Sequence, residues 1–301
     1  MHSRVLRYFD EVVRRGSIRK AAEYLHVAPT AVNRQILDLE AELGAPLFER
    51  ISNRLRLTPL GEMVLAHVRQ TLREHEALRE RIEDFKGARR GHIGIAATTG
   101  LAASLMPSLV HDFRQRYPGI TVRVIDMPGA AIAAAVERGE MDLGLCYDLP
   151  VPKTLRVLAA SEWQIGAVIP PGHALAKHSS VLLSECVGYP LILPAPPLSI
   201  RTLLDAAFAR NAIEVTPVAE STSMALIQRL VAMGSGIALL NPLDVMEECS
   251  RNALLYLPLR DPELQRQALV LMARSKGQLS AAAELMAQSI EAALARMFAA
   301  I

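Results

Sequence analysis

Apolar residues between Val5 and Leu43 recur at spacings of three and four, the period of an amphipathic helix. Val5, Leu6, Tyr8, Phe9, Val12 and Val13 form one stripe, and Arg14-Arg15 followed by Gly16 is a helix stop, so a first helix is predicted to about Arg15. Ser17 is an N-cap signal for a second, short helix with Ile18, Ala21, Ala22 and Leu25 inward, closed by His26-Val27. Pro29 suits the first position of a third helix, with Ala31, Val32, Ile36, Leu39 and Leu43 inward and Gly44 at its end. Three helices with a tight turn predict a helix-turn-helix. The period then changes to two. Leu47-Phe48-Glu49-Arg50 and Arg54-Leu55-Arg56-Leu57-Thr58 alternate about a Ser52-Asn53 turn, predicting a basic two-stranded wing. Thr58 and Pro59 open a helix of about 27 residues whose seam is Leu60, Val64, Val68, Leu72, Leu78, Ile82 and Phe85, flanked by Arg69, Arg73, Glu76 and Glu80. So narrow a seam has no core of its own to lie on and calls for a partner, most simply a second copy of the helix.

Beyond Gly91 the pattern alternates between short apolar strands and helices. Strands are predicted at 92–97, 120–125 and 141–146, and near 163–169, 191–193, 237–240 and 267–272. Helices are predicted from 101 to about 116, at 131–138, and near 200–209 and 223–233. This is an α/β pattern. It is long for one sheet, and Glu162-Trp163 and Asp261-Pro262 are plausible crossover points between two lobes with a cleft between them. The expected division is a winged helix-turn-helix over 1–58, a linker helix for dimerisation over 59–88, and an α/β domain over 91–301. Lobe I of that domain takes about 91–162 and 266–301, and lobe II about 163–265.

Composition narrows the function classes. Hydrophobic residues are 51% and charged residues 21%, with mean hydropathy +0.21, as in a globular chain able to bury a core. Aromatics at 4% exclude a stacking platform for single-stranded nucleic acid. Cys146, Cys186 and Cys249 are far apart and form no CxxC pair, which excludes a disulfide framework and a structural zinc; no metal or cofactor is expected. Charged residues throughout the first fifteen positions rule out a secretory signal, and no apolar run reaches the roughly 18 residues that cross a bilayer. The expectation is a cytoplasmic protein with no membrane partner, nucleoid-associated when bound to DNA. Residues 1–90 carry 17 Lys and Arg against 13 Asp and Glu, and the remainder 16 against 18, so a basic head precedes a mildly acidic body. There is no Walker A, HExxH, GxSxG or complete GxGxxG motif, and Gly234-Ser235-Gly236 resembles a helix C-terminal turn, so no enzyme is expected.

With Val32, Ile36 and Leu39 inward, Thr30, Asn33, Arg34 and Leu37 share the outer face of the third helix. Asn pairs bidentately with adenine and Arg with guanine or phosphate, which is the chemistry of a recognition helix in the major groove. Arg50, Arg54 and Arg56 on the wing would lie along phosphates. A two-fold dimer would set two recognition helices on successive turns of a double-stranded operator. In the α/β part, ligands bind at the carboxyl ends of strands, where Thr98-Thr99-Gly100 and Ser221-Thr222-Ser223 each precede a helix. Hydroxyls and helix dipoles there suit a carboxylate or other anion.

The run Gly16-Ser17-Ile18-Arg19-Lys20-Ala21-Ala22, then Leu25-His26-Val27, Ala31-Val32, Arg34-Gln35-Ile36, Leu39-Glu40, Glu42-Leu43-Gly44, Pro46-Leu47-Phe48-Glu49-Arg50 and Leu57-Thr58-Pro59-Leu60-Gly61-Glu62 resembles the N-terminal domain of LysR-type transcriptional regulators. It departs from the family pattern where Ala28, Pro29, Thr30 and Asn33 open the recognition helix, and Ala28 has no side chain able to cap it. Pro118-Gly119-Ile120, Asp142-Leu143-Gly144-Leu145 and the stretch from Val231 to Leu240 resemble the family's effector domain, which looks like a type II periplasmic binding protein. The resemblance implies a DNA-binding regulator that responds to a small, anionic effector and works as a homodimer or dimer of dimers. It adds Ser17 and Arg19 to Thr30, Asn33, Arg34, Arg50, Arg54 and Arg56 as DNA contacts, and places effector contacts at Thr98, Thr99, Gly100, Thr222 and Ser223. Cys146, Tyr147, Pro194 and Arg201 are further effector candidates, Arg201 as a counter-charge. Two alternatives stay open on sequence: an α/β enzyme or solute-binding module whose basic head only dimerises, and a regulator with an empty pocket controlled by its expression or by oxidation of Cys146.

Overall fold

The computed structural model describes residues 3–51, 54–85, 91–262, 264 and 266–298. The turn at 52–53, the linker residues Arg89 and Arg90, and the side chains of Arg50, Arg54, Arg73, Glu76, Glu80, Ile82 and Phe85 lie outside the described residues. Two compact units divide at residues 87 and 88.

In the first unit, α1 (Ser3–Arg15), α2 (Ile18–Leu25) and α3 (Pro29–Leu43) precede a ribbon of β1 (Phe48–Ile51) and β2 (Arg54–Leu57), then α4 (Pro59–Phe85). The boundaries follow local chemistry. Ser17 Oγ accepts from Lys20 N, and α2 and α3 end where His26 and Gly44 turn left-handed, at φ 53° and 71°. Ala28 makes no side-chain cap, and Pro29 opens α3 without an N–H to satisfy. Ala21 and Ala22 are fully buried with Tyr8, Val12 and Val32, so the small side chains let α2 sit close on α1 and α3. Ala31 and Leu43, expected inward, are exposed: Ala31 lies to the side of α3's buried stripe, and Leu43 is the helix's last residue, past the part of the stripe that is covered. β1 and β2 pair antiparallel with Phe48 opposite Leu57 and Glu49 opposite Arg56. Glu40 Oε1 accepts from Leu47 N and Phe48 N at 2.7 and 3.2 Å, fixing how the chain leaves α3 for the ribbon.

The long helix departs from expectation along its first half. Leu65 and Val68 are buried against Phe9, Ile36 and Leu47, and Leu60, Val64 and Leu72 extend the same cluster. Arg69 Nε donates to Asp10 Oδ1 at 2.8 Å, with both side chains 8% exposed. The start of α4 therefore rests on a core of its own unit. Only further along does an apolar seam residue, Leu78, stand 55% exposed.

The second unit runs β3 (Gly91–Ala97), α5 (Thr99–Ser104), α6 (Met106–Arg116), β4 (Ile120–Asp126), α7 (Gly129–Glu137), β5 (Leu143–Tyr147), β6 (Leu155–Trp163), β7 (Gly166–Ile169), α8 (Leu183–Cys186), β8 (Leu191–Pro194), α9 (Ser199–Arg210), β9 (Ala219–Ser221), α10 (Met224–Ala232), β10 (Ile237–Leu240), α11 (Met246–Ser250), β11 (Leu255–Pro258), β12 (Gln267–Arg274) and α12 (Ala281–Phe298). The expected helix from 101 to 116 is two, because α6 begins afresh with Pro107 in its first turn. The expected strand near 163–169 is the end of β6 and the whole of β7, which belong to different sheets.

Those sheets are each five-stranded, ordered β4-β3-β5-β12-β6 and β11-β7-β10-β8-β9. In each, three adjacent parallel strands are followed by one strand running the opposite way, β12 or β7, and by an edge strand, β6 or β11, antiparallel to it. Helices cover both faces, so the strands read as unbroken apolar runs. On β10, Ile237 and Leu239 face one core and Ala238 and Leu240 the other. Ile93, Ile95 and Leu271 of the first sheet pack with Met286 and Ile290 of α12, while Ala96, Cys146 and Met272 pack beneath Ile132 and Val136 of α7. After β10 the chain returns toward the first sheet, and Leu243 is buried in that sheet's core. Among the described residues no helix is long and apolar enough to cross a membrane, and no cluster of His, Cys, Asp and Glu could hold a metal.

Candidate functional site

Two surfaces carry chemistry. On α3, Val32 and Ile36 are buried, which turns Thr30 and Arg34 outward with Asn33 half-buried beside them. Arg34 Nε lies 3.8 Å from Asp38, and Arg19 Nε 3.2 Å from Glu23; these guanidinium groups are 82% and 84% exposed. Pairs so exposed are worth about 0–1 kcal/mol, so either arginine can leave its carboxylate for a phosphate or base at little cost. Leu37, 54% exposed on the same helix, adds an apolar contact of the kind a thymine methyl accepts. Arg56 is exposed on β2, opposite Glu49. Ser17, half-buried, is engaged in capping α2, two residues before the exposed Arg19.

The second surface is a cavity of about 550 Å³ in the α/β unit. Its walls come from the carboxyl ends of parallel strands in both sheets, where backbone N–H groups and helix starts converge. Thr98, Thr99 and Gly100 follow β3, Met127 to Ala130 follow β4, and Tyr147 to Leu149 end β5. Pro197 to Ile200 open α9, Thr222 to Met224 open α10, and Asp244 and Gln267 lie near the passages between sheets. Of the expected effector residues, Thr98, Thr99, Gly100, Tyr147, Thr222 and Ser223 meet here; Cys146, Pro194 and Arg201 do not. Alternation along β5 explains Cys146, which faces the core under α7 while Tyr147 faces the cavity. Burial and then the nearby Asp148 push the Cys146 thiol up to about 12, so it stays protonated. Arg201 is held by Asp205, Glu220 and the Pro194 carbonyl, which occupies its charge outside the cavity.

Several lining residues were invisible to local pattern. Gln267 is fully buried; its Nε2 donates to Asp148 Oδ2 at 2.9 Å and Ser199 Oγ at 3.4 Å, and its Oε1 accepts from Asn241 at 3.3 Å. Asp148, left-handed at φ 49°, accepts from Ala268 N through its other oxygen. This network ties the ends of both sheets together at the cavity. Thr99 Oγ1 donates to Asp126 at 2.8 Å, and Ser223 caps α10 by accepting from Leu226 N. Asp244 is 4% exposed and packs its carboxyl directly against the Gly100 Cα, where a Cβ would overlap Oδ1. Burial raises Asp244 to about 7, an effect that a nearby Tyr147 hydroxyl partly offsets; the same burial, with Asp244 beside it, drives Tyr147 well above the ordinary phenol range. Even so, among the described residues Thr98 Oγ1, Tyr147 OH and Asp244 Oδ1 complete no hydrogen bond. Among the described residues, no Lys, Arg or His lines the cavity.

Likeness to known proteins agrees with this geometry. Residues 3–62 match the bacterial regulatory helix-turn-helix protein, lysR family, and residues 86–295 match the LysR substrate binding domain. The transcriptional dual regulator GltC of Bacillus subtilis is 30% identical over 284 residues, covering 92% of this chain and 92% of that protein. The HTH-type transcriptional regulator CysB of Burkholderia cenocepacia is 28% identical over 243 residues, covering 80% of this chain and 78% of the relative. A variant of full-length OxyR from Pseudomonas aeruginosa superposes with a TM-score of 0.74 at 20% identity, over 96% of this chain and 94% of that one. Full-length BenM gives 0.56 at 25% identity, over 99% and 98%. The two family matches together span most of the chain, and they fall on the helix-turn-helix and the two-sheet unit described above: the protein belongs to the LysR family of transcriptional regulators, with a DNA-binding head and an effector-binding domain.

Proposed function

We propose that Thr30, Asn33 and Arg34 of α3 read base edges, that Ser17, Arg19, Arg50, Arg54 and Arg56 hold the phosphate backbone, and that the 550 Å³ cavity receives a small metabolite that alters how subunits sit on an operator. The observation that carries the first half is the outward set Thr30, Asn33 and Arg34 on a helix whose opposite face is buried. The second half rests on a cavity built from the strand ends of two sheets tied by Gln267. An acidic group of the effector is held at the N-termini of α9 and α10, which present Ser199, Thr222 and Ser223 to the cavity. The protein acts in the cytoplasm as a regulator and not an enzyme, through a dimer joined along α4 and a dimer of dimers. Effector binding favours one arrangement of the lobes, and the population shift changes the spacing or bend imposed on DNA.

Selection of duplexes from a random pool by the full chain tests the reading. The expected outcome is a site with two related half-sites in two-fold symmetry. Enrichment of a single unrepeated half-site, or of nothing, overturns the dimeric operator.

A further inference from the structure

Three polar residues of the cavity wall have no role in the network that ties the sheets. Tyr147 ends β5, and Thr98 follows the neighbouring β3, its N–H donating to Leu145 O at 3.2 Å. Asp244 reaches them from the passage after β10, close enough to Tyr147 for each to shift the other's titration, with its carboxyl over Gly100, two residues from Thr98. Tyr147 and Asp244 are 7% and 4% exposed, and all three carry an oxygen with no hydrogen-bond partner among the described residues. Such groups cost free energy unless a hydrogen-bonding partner arrives.

The charge pattern says what that partner is. Among the described residues the lining holds two carboxyls, Asp148 and Asp244, and no cation. Both oxygens of Asp148 are already bonded, to Gln267 and to the Ala268 amide. Among the described lining carboxyls, Asp244 alone has a buried oxygen, Oδ1, that completes no hydrogen bond, although its carboxyl lies beside the Tyr147 hydroxyl. It also lies against the first turn of α5, so an incoming carboxylate there would meet a carboxyl already in place. A group with several N–H donors fits instead, because an ammonium offers three donors and a compensating charge.

We infer that Thr98, Tyr147 and Asp244 form a subsite for a protonated amine, so that the effector is amphoteric, its amine on this wall and its acidic group toward α9 and α10. The inference rests on the proposed effector role of the cavity. It explains how a cavity with no lysine or arginine among its described lining residues discriminates by charge: the wall accepts a cation through Asp244 and rejects a simple acid of the same size.

The test uses the full chain and four five-carbon probes: pentanoate, pentylamine, norvaline and 5-aminopentanoate. Thermal unfolding is followed at pH 8 for the wild type, Asp244→Asn and Tyr147→Phe, with each probe and without. An amino acid probe at about ten times its Kd should raise the wild-type Tm by about 3–5 °C. Pentanoate should do distinctly less, and Asp244→Asn should lose most of the amino acid effect; Tyr147→Phe should lose part of it. Without probe, Asp244→Asn should unfold no lower than the wild type, since a carboxyl reserved for a ligand does not hold the apo fold together. A drop of several degrees for unliganded Asp244→Asn would mark the carboxyl as a structural cap of α5 and overturn the subsite. Equal shifts by pentanoate, or shifts that survive Asp244→Asn, would overturn the subsite and leave the effector cavity standing. No shift by any probe in any of the three proteins would count against the cavity as a small-molecule site and remove the inference with it.

Discussion

Replacing Asp10 with asparagine probes how the DNA-binding unit is held to its long helix. Asp10 Oδ1 and Oδ2 receive Arg69 Nε and Arg14 Nε, each at 2.8 Å. Arg14 is half exposed, but Asp10 and Arg69 are both at 8%. Asparagine keeps the shape and discards the charge, leaving a guanidinium buried beside a neutral amide. Removing one member of a buried pair costs about 3–5 kcal/mol. Since the amide oxygen still accepts a bond, the lower figure applies, and about 3 kcal/mol is on the order of 100-fold in the opening equilibrium. Arg69→Met should cost about half as much, because Asp10 keeps Arg14 and access to water through it. Hydrogen–deuterium exchange in the full chain reads this directly. Amides of α1 and of the first half of α4 should exchange on the order of 100-fold faster in Asp10→Asn, while those of β3 and β5 in the separately packed second unit keep their rates. The paired change Asp10→Leu with Arg69→Met should recover most of the protection, since apolar side chains of similar size replace a buried pair at little cost. Acceleration below about threefold, the level of an exposed pair, would refute the reasoning. So would acceleration spread evenly over both units.

Three other outcomes follow from the α/β unit. Asp244 binds its proton up to about pH 7 when folded but only to about 4 when unfolded, so the folded chain holds the extra proton between those values and stability from this group falls as pH rises through the window. Asp244→Asn should match the wild-type Tm near pH 4 and exceed it by a growing margin up to about 7, and a margin independent of pH would contradict the assignment. Gly100→Ala should destabilise the effector domain by about 1–3 kcal/mol, because its Cβ would overlap the Asp244 carboxyl; a Tm unchanged within error would show that Asp244 moves aside freely. With its thiol near 12 and fully buried, Cys146 should resist iodoacetamide in the native chain at pH 7.5 while half-buried Cys249 labels first, and rapid labelling of Cys146 would reopen an oxidation-controlled regulator.

The N-terminal unit was the more legible because its cores are built from neighbours in sequence. The stripes through Val12, Ala21, Ala22, Val32 and Ile36, and the caps at Ser17 and Gly44, declare themselves within one or two turns. What periodicity could not supply was the neighbour: α4's seam is the same pattern whether it meets a second copy or, as Val64 and Val68 do, the unit's own Phe9 and Leu47. In the α/β unit, the apolar run from Trp163 to Ile169 concealed a change of sheet. Gly166 pairs with Leu240 of β10 and Pro258 of β11, strands far along the chain. The closing helix α12, rich in alanine, carries too weak a stripe to stand out. For the cavity, Thr98, Gly100, Thr222 and Ser223 follow from the rule that ligands meet strand ends. Asp148 and Gln267 lie 119 positions apart, and Asp244 meets Gly100 across two sheets; such pairings depend on the finished topology and leave no local mark.

The central claim, that α3 reads sequence while the wing grips the backbone, is tested most directly by anisotropy titrations of the full chain across a salt series. They compare a selected operator with a scrambled duplex, for the wild type, Asn33→Ala and Arg56→Ala. Asn33→Ala should lose about 1–3 kcal/mol on the operator and almost nothing on the scrambled duplex, with its salt slope unchanged. Arg56→Ala should weaken both duplexes alike and lower the salt slope by about 1. Equal losses for Asn33→Ala on both duplexes, or a wild-type affinity indifferent to salt, would contradict the account.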